Sequence, residues 1–325
     1  MHSLTAEAPI LFDRNRADDL MKSGCPAEAV HIYRGLVEAR PDEDSHLLAL
    51  AWALHDSGQT AEAAACFEQL FRKELARNLF SGFAYDELVR IYREGKNGEA
   101  LVSVCERAAA AQPEDIGILQ TLGEAYLSAG NAAQALRIFE KLVESEPDAP
   151  ERRCSLGDAL LSMGDFVRAK AEYNRAAEID PAAETTFFSR LADGLLRAGD
   201  AEGAKAAWEK CLAARSDEPL FWMGLGDCLA DLGEPVASED AYSRAADLHL
   251  ETAGSCWYRL GNLFTKKGLH AHAVEAFTKA IVIDPGNPLH LLRLAASHAA
   301  SGQDGLAASV LRRLEALKPT PSTGS

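Results

Sequence analysis

The sequence lacks every short motif that marks a common class of enzyme. It contains no G-x-x-x-x-G-K-[ST] phosphate loop, no H-E-x-x-H metalloprotease motif and no G-x-S-x-G nucleophile motif. His270 and His272 lie two residues apart at the predicted start of a helix, a spacing at which side chains do not share a face. We therefore expect no catalytic residue, no cofactor and no metal site, and we interpret the protein as a non-enzyme.

Cysteine is scarce and scattered along the chain. The seven cysteines form no C-x-x-C pair and are odd in number: Cys25, Cys66, Cys105, Cys154, Cys211, Cys228 and Cys256. This pattern fits neither a disulfide framework nor a structural zinc site, and it is typical of a reducing compartment. We predict a cytoplasmic protein.

Basic residues and long apolar runs are also in short supply. Lys and Arg number 33 against 49 Asp and Glu, so the formal net charge is −16. Binding to nucleic acid or to an anionic membrane depends on positive charge, so we expect neither partner. No apolar run is long enough to span a membrane, and the N-terminal MHSLTAEAPILFDRNR lacks the pattern of an export signal. A basic protein or peptide is the compatible partner.

What the sequence has instead is a repeat of about 34 residues. Two successive units carry the same residue types in the same order. The first has Leu122-Gly123, Tyr126, Gly130, Ala135, Phe139 and Pro147, and the second has Leu156-Gly157, Leu160, Gly164, Ala169, Tyr173 and Pro181. The same frame extends in both directions and predicts nine units, which begin near residues 10, 44, 82, 116, 150, 185, 219, 254 and 288.

The residue types at fixed positions indicate two helices in each unit. Leu occupies the seventh position in eight of the nine units, and a small residue occupies the eighth position in eight. The twentieth position is mostly Ala and the twenty-fourth mostly aromatic. These two positions are one helical turn apart, so large side chains fill the space that the alanines leave. Glycine in the middle of a unit and proline at its end are typical of helix ends.

This pattern resembles the tetratricopeptide repeat family, and the resemblance covers nearly the whole chain. It implies an all-α fold, a right-handed α-solenoid superhelix of tandem antiparallel helix pairs. We expect an N-terminal segment at residues 1–9, a single solenoid at residues 10–319 and a disordered tail at residues 320–325. The step from the second to the third unit is 38 residues, which predicts a longer connection around Leu75 to Ser81.

The resemblance also implies where a partner would bind. In this family the first helix of each pair lines a concave groove, and the side chain at the ninth position points into it. Units four to seven carry carboxylates there: Glu124, Asp158, Asp193 and Asp227. One interpretation is a negative field that attracts a basic segment. The alternative is that these acids keep a helix face hydrated or pair with neighbouring arginines.

Trp52 occupies the ninth position of the second unit and is a candidate binding hot spot, with packing in the core as the alternative. The last unit would present an apolar patch that contains Leu289, Leu292 and Ala296. An uncovered patch of this kind predicts a partner contact or a weak homodimer through the C-terminal end.

Basic and amide side chains are sparse on the same predicted face. Arg90 with Arg93, and Asn262 with Lys266, are similar to the residues with which some family members bind a C-terminal carboxylate, but no full set occurs in adjacent units. We therefore interpret the protein as a non-enzymatic scaffold that binds a protein or peptide, of basic character, in its concave groove. The alternative is an accessory or substrate-selecting subunit of an enzyme complex.

Overall fold

The computed structural model describes residues 4–317, with side chains from residue 13 onwards. In this part the chain forms eighteen α-helices and no strand, so the predicted all-α architecture of tandem helix pairs is confirmed. The pairs are α1 Leu4–Lys22 and α2 Pro26–Ala39, α3 Asp44–Asp56 and α4 Thr60–Ala76, α5 Phe83–Glu94 and α6 Gly98–Ala111, α7 Ile116–Ser128 and α8 Ala132–Ser145, α9 Pro150–Ser162 and α10 Phe166–Ile179, α11 Glu184–Ala198 and α12 Ala201–Ala214, α13 Pro219–Asp231 and α14 Pro235–Leu248, α15 Ala253–Lys266 and α16 His270–Ile283, α17 Pro288–Ala300 and α18 Asp304–Ala316. The predicted tail at residues 320–325 lies outside the described residues.

The chain divides into two compact units, Met1–Leu142 and Val143–Ser325. In the first unit each helix from α1 to α6 packs against the next. In the second unit each helix from α9 to α17 packs against the next, and the first helices of successive repeats also contact one another: α9 with α11, α11 with α13, α13 with α15 and α15 with α17. The single solenoid expected over residues 10–319 stays a prediction.

On most first helices a small residue leaves room for a ring on the second helix. A β-carbon at residue 157 would lie 2.6 Å from Cε2 of Tyr173, and one at residue 226 would lie 2.6 Å from Cδ2 of Tyr242. Both rings are fully buried. The repeated Leu-Gly dipeptide therefore marks the place where the two helices of a pair meet, and the fixed spacing of these contacts sets the register of each repeat.

The extra residues between the second and third repeats are divided between a helix and a loop. Helix α4 runs on to Ala76, and the connection Arg77–Gly82 follows it. Lys73 Nζ lies 2.9 Å from Oδ1 of Asp44, and Arg77 lies 2.5 Å from Oδ2 of the same carboxylate. As predicted, this connection is longer than the one between the first two repeats, Arg40–Glu43. It begins two residues later than expected, because α4 extends to Ala76 and its end is held to the start of α3 by two ion pairs.

Candidate partner-binding surface

The first helices of the second unit lie side by side, and we call the surface that they form the first-helix face. Three of the predicted binding residues lie on it: Asp158 on α9, Asp193 on α11 and Asp227 on α13. These carboxylates occupy equivalent positions, because each lies two positions after the Leu of its repeat and directly after the small residue. Their surroundings nevertheless differ.

Asp158 is held by one residue of its own repeat and by one of the next. Its Oδ1 accepts a hydrogen bond from the hydroxyl of Tyr173 on α10. Its Oδ2 accepts from Nε of Arg190 on α11 at 2.9 Å and from a second nitrogen of the same guanidinium. Burial raises the pKa of Tyr173, and the adjacent carboxylate raises it further, so the tyrosine remains a proton donor.

Asp227 repeats this arrangement two units further on. Tyr242 donates to its Oδ1 at 2.5 Å, and Arg259 on α15 donates to its Oδ2 at 2.5 Å. Nε of Arg259 also donates to the Tyr242 hydroxyl at 3.1 Å. Burial alone would lower the pKa of Arg259, but the hydrogen bond that it donates to Asp227 and the negative charge of that carboxylate raise the pKa above its ordinary value. Each of these two carboxylates therefore has a guanidinium and a phenol from its own chain.

Asp193 has neither partner. The aromatic residue of its repeat is Trp208 instead of tyrosine, and Gly224 stands where Arg190 and Arg259 stand, directly before the Leu of the next repeat. Among the described residues no hydrogen bond or ion pair reaches the Asp193 carboxylate, and the side chain is exposed. Partial burial raises its pKa and Asp227 adds to this, while the charges of Arg197 and Arg259 oppose the rise.

The predicted residues of the first unit are tied to one another or to the core. Arg93 lies 2.8 Å from Oε2 of Glu124, so these two candidates form an ion pair across α5 and α7. Nitrogens of Arg90 lie 2.6 Å from Glu87 and 3.1 Å from Nε2 of His55. Trp52 is half-buried, with its ring centroid 5.8 Å from that of Phe67. These contacts support a structural contribution from each residue; binding by them stays a prediction.

The repeats match models of a known family along most of the chain. Models described as tetratricopeptide repeat match residues 14–73 and 189–253, residues 92–153 and 127–185, and residues 255–287. The protein belongs to the tetratricopeptide repeat family. No curated protein matches its sequence significantly.

Several solved structures are similar to this one at low sequence identity. A tetratricopeptide repeat protein from Parabacteroides merdae is 15% identical, with 76% of this chain and 96% of that chain covered and a TM-score of 0.49. YrrB, described as a TPR protein with an unusual peptide-binding site, is 22% identical, with 56% and 92% covered and a TM-score of 0.38. MamA is 22% identical, with 52% and 91% covered and a TM-score of 0.39.

The remaining candidates lie on α15 and α17, after the carboxylates in the chain. Asn262 donates to the backbone oxygen of Tyr258 at 3.0 Å, and Lys266 lies exposed at the end of α15. On α17, Leu289 is 56% exposed and Leu292 is 49% exposed. Ala296 is also exposed. The described residues thus include the apolar patch that the sequence predicts, while its role in binding stays a prediction.

Residues that could hold a metal ion occur once in the described part of this tetratricopeptide repeat protein. Ligand atoms of Glu239, His272 and Glu275 lie within 4.8 Å of one another. Nδ1 of His272 lies 2.7 Å from Oε1 of Glu239, and Nζ of Lys279 lies 3.9 Å from Oε2. The contact between His272 on α16 and Glu239 on α14, with the ammonium group of Lys279 nearby, accounts for this cluster without a metal ion.

Reasoning from the sequence left open that the acids pair with neighbouring arginines, but it did not identify Arg190 and Arg259. Arg190 and Arg259 lie 32 residues after the carboxylates that they contact. Tyrosine at the twenty-fourth position likewise coincides with aspartate at the ninth in three repeats, as Tyr33 with Asp18, Tyr173 with Asp158 and Tyr242 with Asp227. Both patterns are present in the sequence and could have been found by comparing positions across repeats.

No helix of the described residues has both the length and the apolar character needed to cross a membrane.

Proposed function

We propose that this tetratricopeptide repeat protein is an interaction scaffold that binds a protein partner with a basic segment on its first helices. The observation that carries the proposal is Asp193, an exposed carboxylate on the first-helix face that no side chain of the described residues pairs, together with the net charge of −16. A surface with an excess of one charge raises the local concentration of an oppositely charged segment and accelerates its association. The seven cysteines are all free thiols, which supports a cytoplasmic site of action.

The test is affinity capture from native lysate with the wild-type chain and with a variant in which Glu124, Asp158, Asp193 and Asp227 are changed to Asn. Mass spectrometry identifies the retained proteins, and circular dichroism checks the fold. The matched control changes four exposed carboxylates on second helices: Glu202, Glu209, Asp240 and Asp247. Both variants lose the same charge, so a partner that binds the first helices is lost only from the first variant.

The charge contribution is tested on the purified partner by raising the salt concentration from about 50 to 500 mM, which shortens the Debye length severalfold. We expect the affinity to fall steeply, because contacts between exposed charges are screened by salt. An affinity that does not change with salt would contradict the basic character of the partner and leave the scaffold function in place. A catalytic chain among the retained proteins would assign the accessory role instead.

We propose further that the exposed leucines of α17 add an apolar contact, to the partner or to a second copy of the chain. The exposure of Leu289 and Leu292 supports this, because adjacent exposed leucines are costly in a monomer. Sedimentation at increasing protein concentration separates the two cases. If the protein self-associates and the change of Leu289 and Leu292 to Gln abolishes this, the patch is the contact of a homodimer. If the protein is a monomer at all concentrations, the patch contacts the partner.

A further inference from the structure

We propose that Asp193 is a receptor for one arginine side chain of the partner, which takes the place that Arg190 and Arg259 fill elsewhere on the first-helix face. This inference rests on the proposed function and names its central contact. It starts from a comparison of three carboxylates at equivalent positions of the repeats. Two of them, Asp158 and Asp227, each bind an arginine of the same chain, and the third, Asp193, does not.

The first step is the chemistry that this position selects. At Asp158 the guanidinium of Arg190 donates from two of its nitrogens, and at Asp227 that of Arg259 donates to the same oxygen, Oδ2. Both arginines come from the neighbouring first helix and lie on the solvent side, with their side chains 45% and 56% exposed. The chain itself thus shows twice that a guanidinium approaching from this face meets the carboxylate.

The second step is why Asp193 lacks such an arginine. Gly224 occupies the equivalent position, and a β-carbon there would lie 2.3 Å from Cε2 and 2.6 Å from Cζ2 of Trp208. No side chain fits at residue 224 while the indole is in place. Trp208 therefore requires glycine at residue 224. Because this repeat has Trp208 instead of tyrosine and is followed by Gly224 instead of arginine, Asp193 lacks both the hydroxyl and the guanidinium that bind the equivalent carboxylates.

The third step is the polar balance around this carboxylate. Trp208 is 5% exposed, and its Nε1 has no hydrogen-bond partner among the described residues. Arg197 donates Nε to the backbone oxygen of Asp193 at 3.2 Å and not to its carboxylate, while Arg259 is bound to Asp227. The carboxylate is thus exposed and forms no ion pair or hydrogen bond with the described residues, although the charges of Arg197 and Arg259 act on it.

These observations select an arginine rather than another group. A carboxylate binds a guanidinium through two parallel hydrogen bonds, whereas lysine offers a point charge. An anionic group would meet both Asp193 and Asp227 and is repelled. The partner therefore presents an arginine in a segment that lies along the first-helix face of the second unit.

The experiment measures binding of fluorescent short peptide pools to the full chain by polarisation. The pools are degenerate in neutral residues around one central position, which is arginine, lysine or citrulline; citrulline has the shape of arginine without its charge. For wild type we expect the arginine pool to bind about three- to tenfold more tightly than the citrulline pool, with lysine between them. The matched control D240N removes one exposed carboxylate from a second helix and should retain this ratio.

Two variants test the assignment to Asp193. In D193N the carboxylate becomes an amide of the same shape, and the arginine preference should fall to about one. W208Y/G224R introduces the tyrosine and the arginine that the other two repeats have at these positions. The new arginine should pair with Asp193 within the chain, which should also abolish the preference for the arginine pool. Because Asp193 is exposed, D193N should fold normally, and it alone decides the test if the double variant does not fold.

The outcomes separate this inference from the proposed function. Preference for arginine in wild type that persists in D193N overturns the inference and leaves the basic partner in place. Equal binding of all pools by wild type overturns both the inference and the basic character of the partner. Loss of the preference in D193N, with retention in D240N, supports the receptor.

Discussion

The ring of Phe139 lies against the backbone of Gly123, where a β-carbon would be 2.5 Å from Cε1 of the ring. Phe139 is fully buried in the core. The contact joins the two helices of one repeat. Equivalent contacts recur at Gly157, Gly226 and Gly261, so in these four repeats the helix pair packs closely only because the residue lacks a methyl group.

Changing Gly123 to Ala should lower the free energy of unfolding by about 1–3 kcal/mol, because the added methyl group overpacks a filled core. The control is Gly35 in α2, where a β-carbon would meet nothing within 4 Å. Gly35→Ala should stabilise the helix by about 0.5–1 kcal/mol. Urea denaturation followed by circular dichroism measures both. A stabilised Gly123→Ala variant would show that helices α7 and α8 can move apart freely.

Changing the carboxylates of the first-helix face should separate the paired ones from Asp193. Asp158→Asn and Asp227→Asn each leave an arginine without its ion pair, and we expect a loss of about 1–2 kcal/mol. Asp193→Asn should be neutral or stabilising. The folded-state pKa of Asp193 is raised, so its charged form is disfavoured by folding, and its contribution to stability falls as the pH rises through the unfolded value of about 3.9.

Thermal denaturation of the three variants at neutral pH and at about pH 4 provides the measurement. The advantage of Asp193→Asn over wild type should shrink at the lower pH, where the wild-type carboxyl takes up a proton. Equal losses in all three variants would contradict the absence of a partner for Asp193.

Lys96 occupies a backbone conformation that disfavours a side chain. Its φ is 52°, at the end of α5, where the corresponding residue in the next repeat is Gly130 with φ 78°. Lys96→Gly should raise the free energy of unfolding by about 0.5–1 kcal/mol, because it removes the clash of the β-carbon. Lys96→Ala keeps the β-carbon and is the control. Equal stabilities of the glycine and alanine variants would show that the left-handed conformation carries no strain here.

The buried thiols should resist alkylation in the folded protein. Burial raises the pKa of Cys154, Cys211 and Cys228 to about 12 in each case, so at about pH 8 they remain protonated and inaccessible. Cys25 is only half-buried and should react first with iodoacetamide. Mass spectrometry of peptides after timed alkylation measures the order. Rapid labelling of Cys228 would reveal opening of its repeat.

The same thiols make stability fall at alkaline pH. In the unfolded chain they ionise near pH 8.5, whereas in the folded protein they keep their protons, so the folded state binds more protons above that pH. The free energy of unfolding should therefore decrease as the pH rises above about 8.5. Changing Cys228 to Ala should reduce the slope; an unchanged slope would contradict the shift.

Much of the fold was accessible from the sequence because each repeat carries its own contacts. The spacing of Leu156-Gly157 and Tyr173 predicts two helices that meet at the glycine, and the structure places Gly157 against that ring. The connection after α4 was less predictable, since the extra residues could extend a helix or a loop. The two ion pairs from Lys73 and Arg77 to Asp44 favour the helix, and they join residues about 30 positions apart.

By itself the sequence determined the all-α class, the number and frame of the repeats and the positions of the acids on the first helices, because these follow from short, periodic contacts. Only the tertiary structure decided which acids are neutralised. Asp158 and Asp227 meet arginines of the neighbouring first helix, and Asp193 meets none, since Trp208 occupies the space over Gly224. That difference depends on the packing of side chains from separate repeats.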